Sequence, residues 1–153
     1  MHEPEKVRTD TLDDYLAALS RSTIEPGLNW DVVEAKWPGI VEAFHGFNVL
    51  DVAAFTPNDI DDLMADHRVI RNRKKLEAVV YNAGEMLNIA PDADGFRAYL
   101  RSHGSFEATV ADLRRRFKFM GEMGAYHFLF VVGEKVPAHE DWLKSHPESG
   151  ARH

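Results

Sequence analysis

From Thr11 to Arg21 the apolar residues Leu12, Tyr15, Leu16 and Leu19 recur at the spacing of one helix face, and Thr11 is placed to cap that helix. After the break at Glu25-Pro26-Gly27, Asn29 can cap a second helix with Trp30, Val33 and Trp37 on its inner face. Pro38 is expected to end that helix and open another, with Val41 and Phe44 facing in. His45-Gly46 reads as a turn, Val49 to Phe55 as a brief apolar helix, and Thr56-Pro57 as a cap followed by a first turn. Asp59, Asp61 and Asp62 then lie where a helix dipole favours negative charge. The clearest periodicity follows, from about Arg71 to Leu87, where Leu76, Val79, Val80, Ala83 and Leu87 trace one face. Pro91 stops it. Later helices are expected through Phe96, Tyr99 and Leu100, through Phe106, Val110 and Leu113, and through the almost wholly apolar run from Ala125 to Val132. Strand-like alternation is not sustained, although Phe128 to Val132 by itself is compatible with a buried strand. The predicted class is all-α, a bundle of short helices in a single domain over 1–143, with a patternless, disordered tail over 144–153.

Composition narrows this picture. A chain of 153 residues and 17.4 kDa encloses one proper core, and 44% apolar with 28% charged residues is the balance of a folded domain. The absence of cysteine removes disulfides, thiol chemistry and any zinc site built on cysteine. No apolar run reaches bilayer length, and MHEPEKVRTD lacks the hydrophobic stretch of a signal peptide, so a cytoplasmic protein without a membrane partner is expected. The net charge of −7 opposes long-range attraction to nucleic acid, and DNA binding would require a local basic patch.

Two such patches exist. Arg68, Arg71, Arg73, Lys74 and Lys75 cluster at the entrance to the long helix, where side chains and free backbone N–H groups can together hold a phosphate; a solvated helix start fits the spacing equally well. Arg114, Arg115, Arg116 and Lys118 precede a glycine-marked turn at Gly121 that can present amide donors, although such turns between helices are common. Trp30 offers a flat ring for stacking on a base, against the ordinary fate of a core tryptophan. Glu25 is the carboxylate of the preceding loop, suited to acid or base work if an apolar pocket raises its pKa, and otherwise a solvated loop residue. The eight histidines include no pair four residues apart, and His139-Glu140-Asp141 reads as a helix start. There is no phosphate-binding glycine loop, nucleophile elbow or dinucleotide fingerprint.

Four segments, in order, carry a resemblance: Gly27-Leu28-Asn29-Trp30, the phenylalanine-rich turn from Phe44 to Phe47, Val69-Ile70-Arg71-Asn72-Arg73-Lys74-Lys75-Leu76, and Arg116-Phe117-Lys118-Phe119-Met120-Gly121. Over about residues 20 to 142 the chain resembles the DNA-3-methyladenine glycosylase I family, whose corresponding pieces read roughly GLSW, a phenylalanine-rich turn, GIIRHRGKI and GFKFVG. The resemblance implies a helix-hairpin-helix glycosylase fold and hydrolysis of the N-glycosidic bond of an alkylated base such as 3-methyladenine in duplex DNA. It implies that Trp30 stacks on the extruded base and that Gly121, with Lys118 before it, lies in a hairpin whose amides grip phosphate. Arg71, Arg73 and Lys74 would add contacts to the DNA backbone. A flat, electron-rich ring suits a flipped cationic base.

The chain also departs from that pattern. The family's functional glutamate falls at Ser22; Glu25, three residues later where glutamine is usual, is the acidic group expected to act in catalysis. The N-terminal tyrosine-histidine and tryptophan-glycine motifs have no counterpart. Of the family's zinc ligands His139 matches one, while Leu143 stands at the C-terminal cysteine position, so no metal or other cofactor is expected. The expected protein is a monomer acting on alkylated duplex DNA. The alternative from another class is a catalytically silent relative that keeps the fold to bind DNA or another partner, or a helical domain that binds no DNA.

Overall fold

The structure, a computed structural model, describes residues 5–138, so the expected tail from 144 and the positions of His139 and Leu143 lie outside the described residues. Among them run α1 (Leu12–Ile24), α2 (Trp30–Ala43), a 3-10 turn (His45–Phe47), α3 (Val49–Ala53), α4 (Pro57–Met64), α5 (Arg73–Ile89), α6 (Ala93–Leu100), α7 (Phe106–Arg116) and α8 (Glu122–Val131). No strand occurs among these residues, and the strand-compatible stretch at Phe128 belongs to α8. The caps follow the sequence closely. Thr11 accepts from Asp14 N at 3.2 Å while the Asp14 carboxylate accepts from Thr11 N at 3.1 Å. Thr56 and Asp59 repeat the arrangement at α4, with Pro57 in the first turn. Only Asp59 of the three aspartates sits in that turn; Asp61 and Asp62 lie further along.

Pro38 departs from expectation, lying inside one continuous helix from Trp30 to Ala43 instead of dividing two. It forfeits one backbone bond, but Val33 on its N-terminal side and Ile40 and Ala43 on its C-terminal side are all buried, so tertiary packing aligns both halves. The next turn has three consecutive residues with positive φ, His45 (55°), Gly46 (67°) and Phe47 (56°). Two of these are side chains that rarely take that conformation. Complete burial of Phe47, stacked 5.1 Å from Phe44 and 5.5 Å from Trp37, opposes the strain.

Helices α1 and α5 pack against each other, α1 also on α8 and α6, and α5 on α3, α4 and α6. Tyr15, Leu16 and Leu19 of α1 are fully buried, the two leucines each worth roughly 1.5–3 kcal/mol of transfer free energy. On α5 the buried face is rotated from the expected one. Leu76, Val79 and Ala83 face in as predicted, but Val80 and Leu87 are only half-buried, and the interior positions include Lys75, Asn82 and Met86. The helix also starts two residues later than Arg71, because Asn72 caps it by accepting from Lys75 N at 3.2 Å.

Candidate nucleic-acid interface

Because α1 continues to Ile24, Glu25 is its C-cap and not a free loop residue, its N–H bonding Arg21 O at 2.9 Å. Its side chain is 28% exposed, with Arg21 Nε 3.7 Å away. The same guanidinium bonds Glu34 at 2.5 Å and lies 5.2 Å over the Trp37 ring. Burial pushes the Glu25 carboxyl above the usual carboxylate range; Arg21 opposes the shift and the Glu34 charge adds to it. Gly27 then turns the chain at φ 82°, and Asn29 caps α2 by accepting from Asp31 N at 2.8 Å. Trp30, the first residue of α2, is half-buried, at the margin between core and surface.

This loop is fastened from α5. Lys75, expected as part of a phosphate-binding cluster, is instead 8% exposed, and its ammonium bonds Ile24 O at 2.7 Å and Pro26 O at 2.6 Å. Burial lowers its pKa. It is therefore withdrawn from any DNA backbone. Two turns along α5, Asn82 reaches both α1 and the second candidate segment. Its amide nitrogen donates to Thr23 Oγ1 at 3.3 Å and Lys118 O at 3.2 Å, and its carbonyl oxygen accepts from Lys118 N at 2.8 Å. Between α7 and α8, residues 117–121 thus form a hairpin docked on α5, with Phe117 and Met120 buried below and Phe119 exposed at φ 54°. Gly121 is the exposed N-cap of α8 and, having no side chain, makes no side-chain cap hydrogen bond itself.

The remaining basic residues divide by their partners. Arg68 pairs with Asp66 and Glu42, and Arg73 with Asp61 and Glu77. Arg114 meets Glu122 at 3.1 Å, Arg115 pairs with Asp112, and Arg116 bridges Glu85 and Asp112 at 3.1 and 3.3 Å. Arg71 and Lys74 are exposed, and no described acidic side chain forms an ion pair with either. Lys118 is exposed too, with its ammonium 4.3 Å above the Tyr81 ring. Lys74 and Tyr81 are seven residues apart on α5, which places them on one face about 10 Å apart. Tertiary structure thus brings the two basic segments to one side of α5, as Lys74 and Lys118 with Tyr81 under the latter. The signal for Lys75 and Asn82 was in the sequence as two polar residues seven apart within an apolar stripe; nothing local singled out Tyr81.

Ser22, at the position of the expected glutamate, is 8% exposed and faces α8, where a Cβ added to Gly124 would come within 3.4 Å of Ser22 O. Without cysteine in the chain, the residues present do not fit a cysteine-histidine zinc clasp. Two surface concavities lie beside Lys6, Phe130 and Pro137 and beside Leu100, Phe106 and Val136, and neither is lined by Trp30 or Glu25.

A bundle of short helices defines the class of fold, and solved structures share it. A glutamate-to-glutamine mutant of 3-methyladenine DNA glycosylase I from Staphylococcus aureus superposes with a TM-score of 0.70 at 26% identity, covering 86% of this chain and 80% of that one. A model of the methyladenine glycosylase family matches residues 9–116. The DNA-3-methyladenine glycosylase of Haemophilus influenzae is 32% identical over 130 residues, spanning 71% of this chain and 70% of the relative. DNA-3-methyladenine glycosylase 1 of Escherichia coli K12 is 25% identical over the same coverage. The chain belongs to the methyladenine glycosylase family.

Proposed function

We propose that this protein is a base-excision repair glycosylase that releases an alkylated purine of the 3-methyladenine kind from duplex DNA by hydrolysing its N-glycosidic bond. It acts as a monomer in the cytoplasm, without a cofactor. The observation that carries the reading is the double attachment made by Asn82, which ties the Lys118 hairpin to Thr23, two residues before Glu25. A duplex gripped at the hairpin is thereby held in fixed relation to the loop that leads to Trp30. Lys118, Lys74 and Arg71 take the backbone charge, Arg73 adds to it in exchange with its acidic partners, and the hairpin backbone at Gly121 receives a phosphate oxygen.

A base methylated on its ring carries positive charge and is already a good leaving group. It departs with the bonding electrons as a neutral purine, while water adds to the sugar carbon and loses a proton. Stacking on the Trp30 ring favours the extruded cationic base, and orientation in that stack supplies part of the acceleration. Glu25 is the nearest acidic candidate in the chain to the family's glutamate position, and its partly desolvated carboxyl serves as acceptor for the proton of the attacking water.

The decisive measurement is release of free 3-methyladenine from methylated duplex DNA. Release above the spontaneous rate is expected, falling in Trp30→Ala by about tenfold to a hundredfold, the range of one lost base stack. Glu25→Gln is expected to slow release while leaving duplex affinity intact. No release above background at high protein concentration sinks the enzyme reading. One observation favours a second reading, a silent DNA-binding relative: Ser22 stands at the glutamate position and packs against Gly124. Salt-sensitive duplex binding with no release would establish it.

A further inference from the structure

The last carbonyls of a helix have no partner within it. At the end of α1 one of these, Ile24 O, and the carbonyl two residues later, Pro26 O, both accept from the Lys75 ammonium, at 2.7 and 2.6 Å. The residue between them is Glu25, and Trp30 follows four residues after Pro26. A buried ammonium is costly unless its donors are used, and no carboxylate among the described residues forms an ion pair with Lys75. Its site is nevertheless favourable, because the negative end of the α1 dipole lies there and lysine has three donors and no acceptor to satisfy. Two carbonyls bonded to one ammonium fix the Ile24–Glu25 and Pro26–Gly27 peptide planes, so that the chain entering Glu25 and the chain leaving Pro26 are both held, and Asn72, which caps α5 on Lys75 N, holds the lysine backbone in turn.

We propose that Lys75 is a positioning residue for base excision: its ammonium clamps the two carbonyls that flank Glu25 and so sets the Glu25 carboxyl and the Trp30 ring relative to each other. The proposal rests on the glycosylase reading for its consequence and on the loop geometry for its substance. Lys75 touches neither DNA nor base, so its loss acts on the chemical step and not on capture of the duplex.

Lys75→Met keeps the length and apolar stem of the side chain and removes the donors. In single-turnover release of 3-methyladenine from methylated duplex, the variant is expected to be at least tenfold slower. Its duplex affinity should stay within twofold of the unsubstituted protein. Hydrogen exchange should accelerate at least tenfold at the Glu25 and Leu28 amides, which close the turn, and stay unchanged at Leu16 in the core. Unchanged loop exchange, unchanged release, or an equal fall in release and duplex affinity would each overturn the proposal. If the unsubstituted protein releases no base, the enzyme reading fails, while the exchange comparison still decides whether the clamp holds the loop. Should Lys75→Met not fold, the lysine-selective amine spectrum of the unsubstituted protein decides: a slowly exchanging Lys75 ammonium coupled to carbonyl carbons supports the clamp, and one exchanging as fast as Lys74 overturns it.

Discussion

The α1–α2 loop and the α7–α8 hairpin are both five-residue connections fastened to α5, yet by different chemistry. At the first, α5 finds only acceptors, the carbonyl of Ile24 at the negative end of α1 and that of Pro26 in the loop, and a cation meets them. The hairpin offers both a donor and an acceptor at Lys118, and a neutral amide meets both. The chemistry of the anchor follows what the anchored backbone leaves unpaired. One consequence is that the hairpin anchor is indifferent to pH near neutrality, whereas the loop anchor depends on a charge held in a partly buried place.

The sharpest way to break this comparison is at Asn82. Asn82→Leu removes three hydrogen bonds and leaves the Lys118 amide and carbonyl without their partner; the expected loss is about 2–4 kcal/mol of stability, read from the midpoint of urea unfolding. Asn82→Asp keeps an acceptor for Lys118 N but buries an unpaired carboxylate against Lys118 O, and a loss at least as large is expected at neutral pH. A loss below about 0.5 kcal/mol in the leucine variant would mean the hairpin is held by Phe117 and Met120 alone.

Acid separates the two regions next. Asp112 lies on α7, which leads into the hairpin. Burial pushes its carboxyl up, but hydrogen bonds from Tyr99, His103 and Arg115 outweigh that and hold it at about 2. A carboxyl depressed in the folded state contributes stability above its unfolded pKa and loses it as pH falls toward the folded value. About 2 kcal/mol should therefore disappear between about pH 4 and pH 2, and Asp112→Asn should flatten that part of the profile. Glu25 has the opposite sign, since a raised folded pKa means that protonation favours the folded state. Glu25→Gln should raise stability slightly at neutral pH, provided the glutamine keeps its contact with Arg21. A steeper acid loss in Glu25→Gln than in the unsubstituted protein is expected as well, because the compensating proton uptake is gone.

The smallest effect belongs to the exposed side of the hairpin. Lys118→Ala should weaken binding to all duplex sequences alike and reduce the slope of log affinity against log salt by about one. Tyr81→Ala, which removes only the ring beneath that ammonium, should weaken binding less and leave the slope unchanged. A slope unaltered in Lys118→Ala would place the duplex elsewhere on the molecule.

Caps and helix faces were legible because they depend on neighbours within a turn. Thr11, Thr56 before Pro57 and Asn29 before Trp30 declare themselves by spacing alone, and the structure has each of them as a cap. Pro38 was misread because its local cost is outweighed by burial of Val33, Ile40 and Ala43, which involves residues far along the chain. Lys75 was misread for a related reason. In a run of five basic residues within eight positions it looks like its neighbours, and only the arrival of carbonyls from 51 and 49 residues earlier makes one of them interior. Glu25 belongs to the same group, since extension of α1 by one turn converted a loop carboxylate into a half-buried cap.

The sequence by itself determined the all-helical class, the order and caps of most helices, membership of the methyladenine glycosylase family through its four ordered segments, and the absence of a cysteine ligand set. The class, the caps and the missing ligands follow from period, residue type and spacing, all local properties of a chain, and the family from the resemblance of whole segments to known relatives. Tertiary structure alone decided which basic residues face outward, which carboxylate is partly desolvated, and how the hairpin stands to the Trp30 loop. Those outcomes depend on unpaired backbone groups meeting polar side chains across the core, and the free energy of burying a charge or an amide is settled only when its partner arrives.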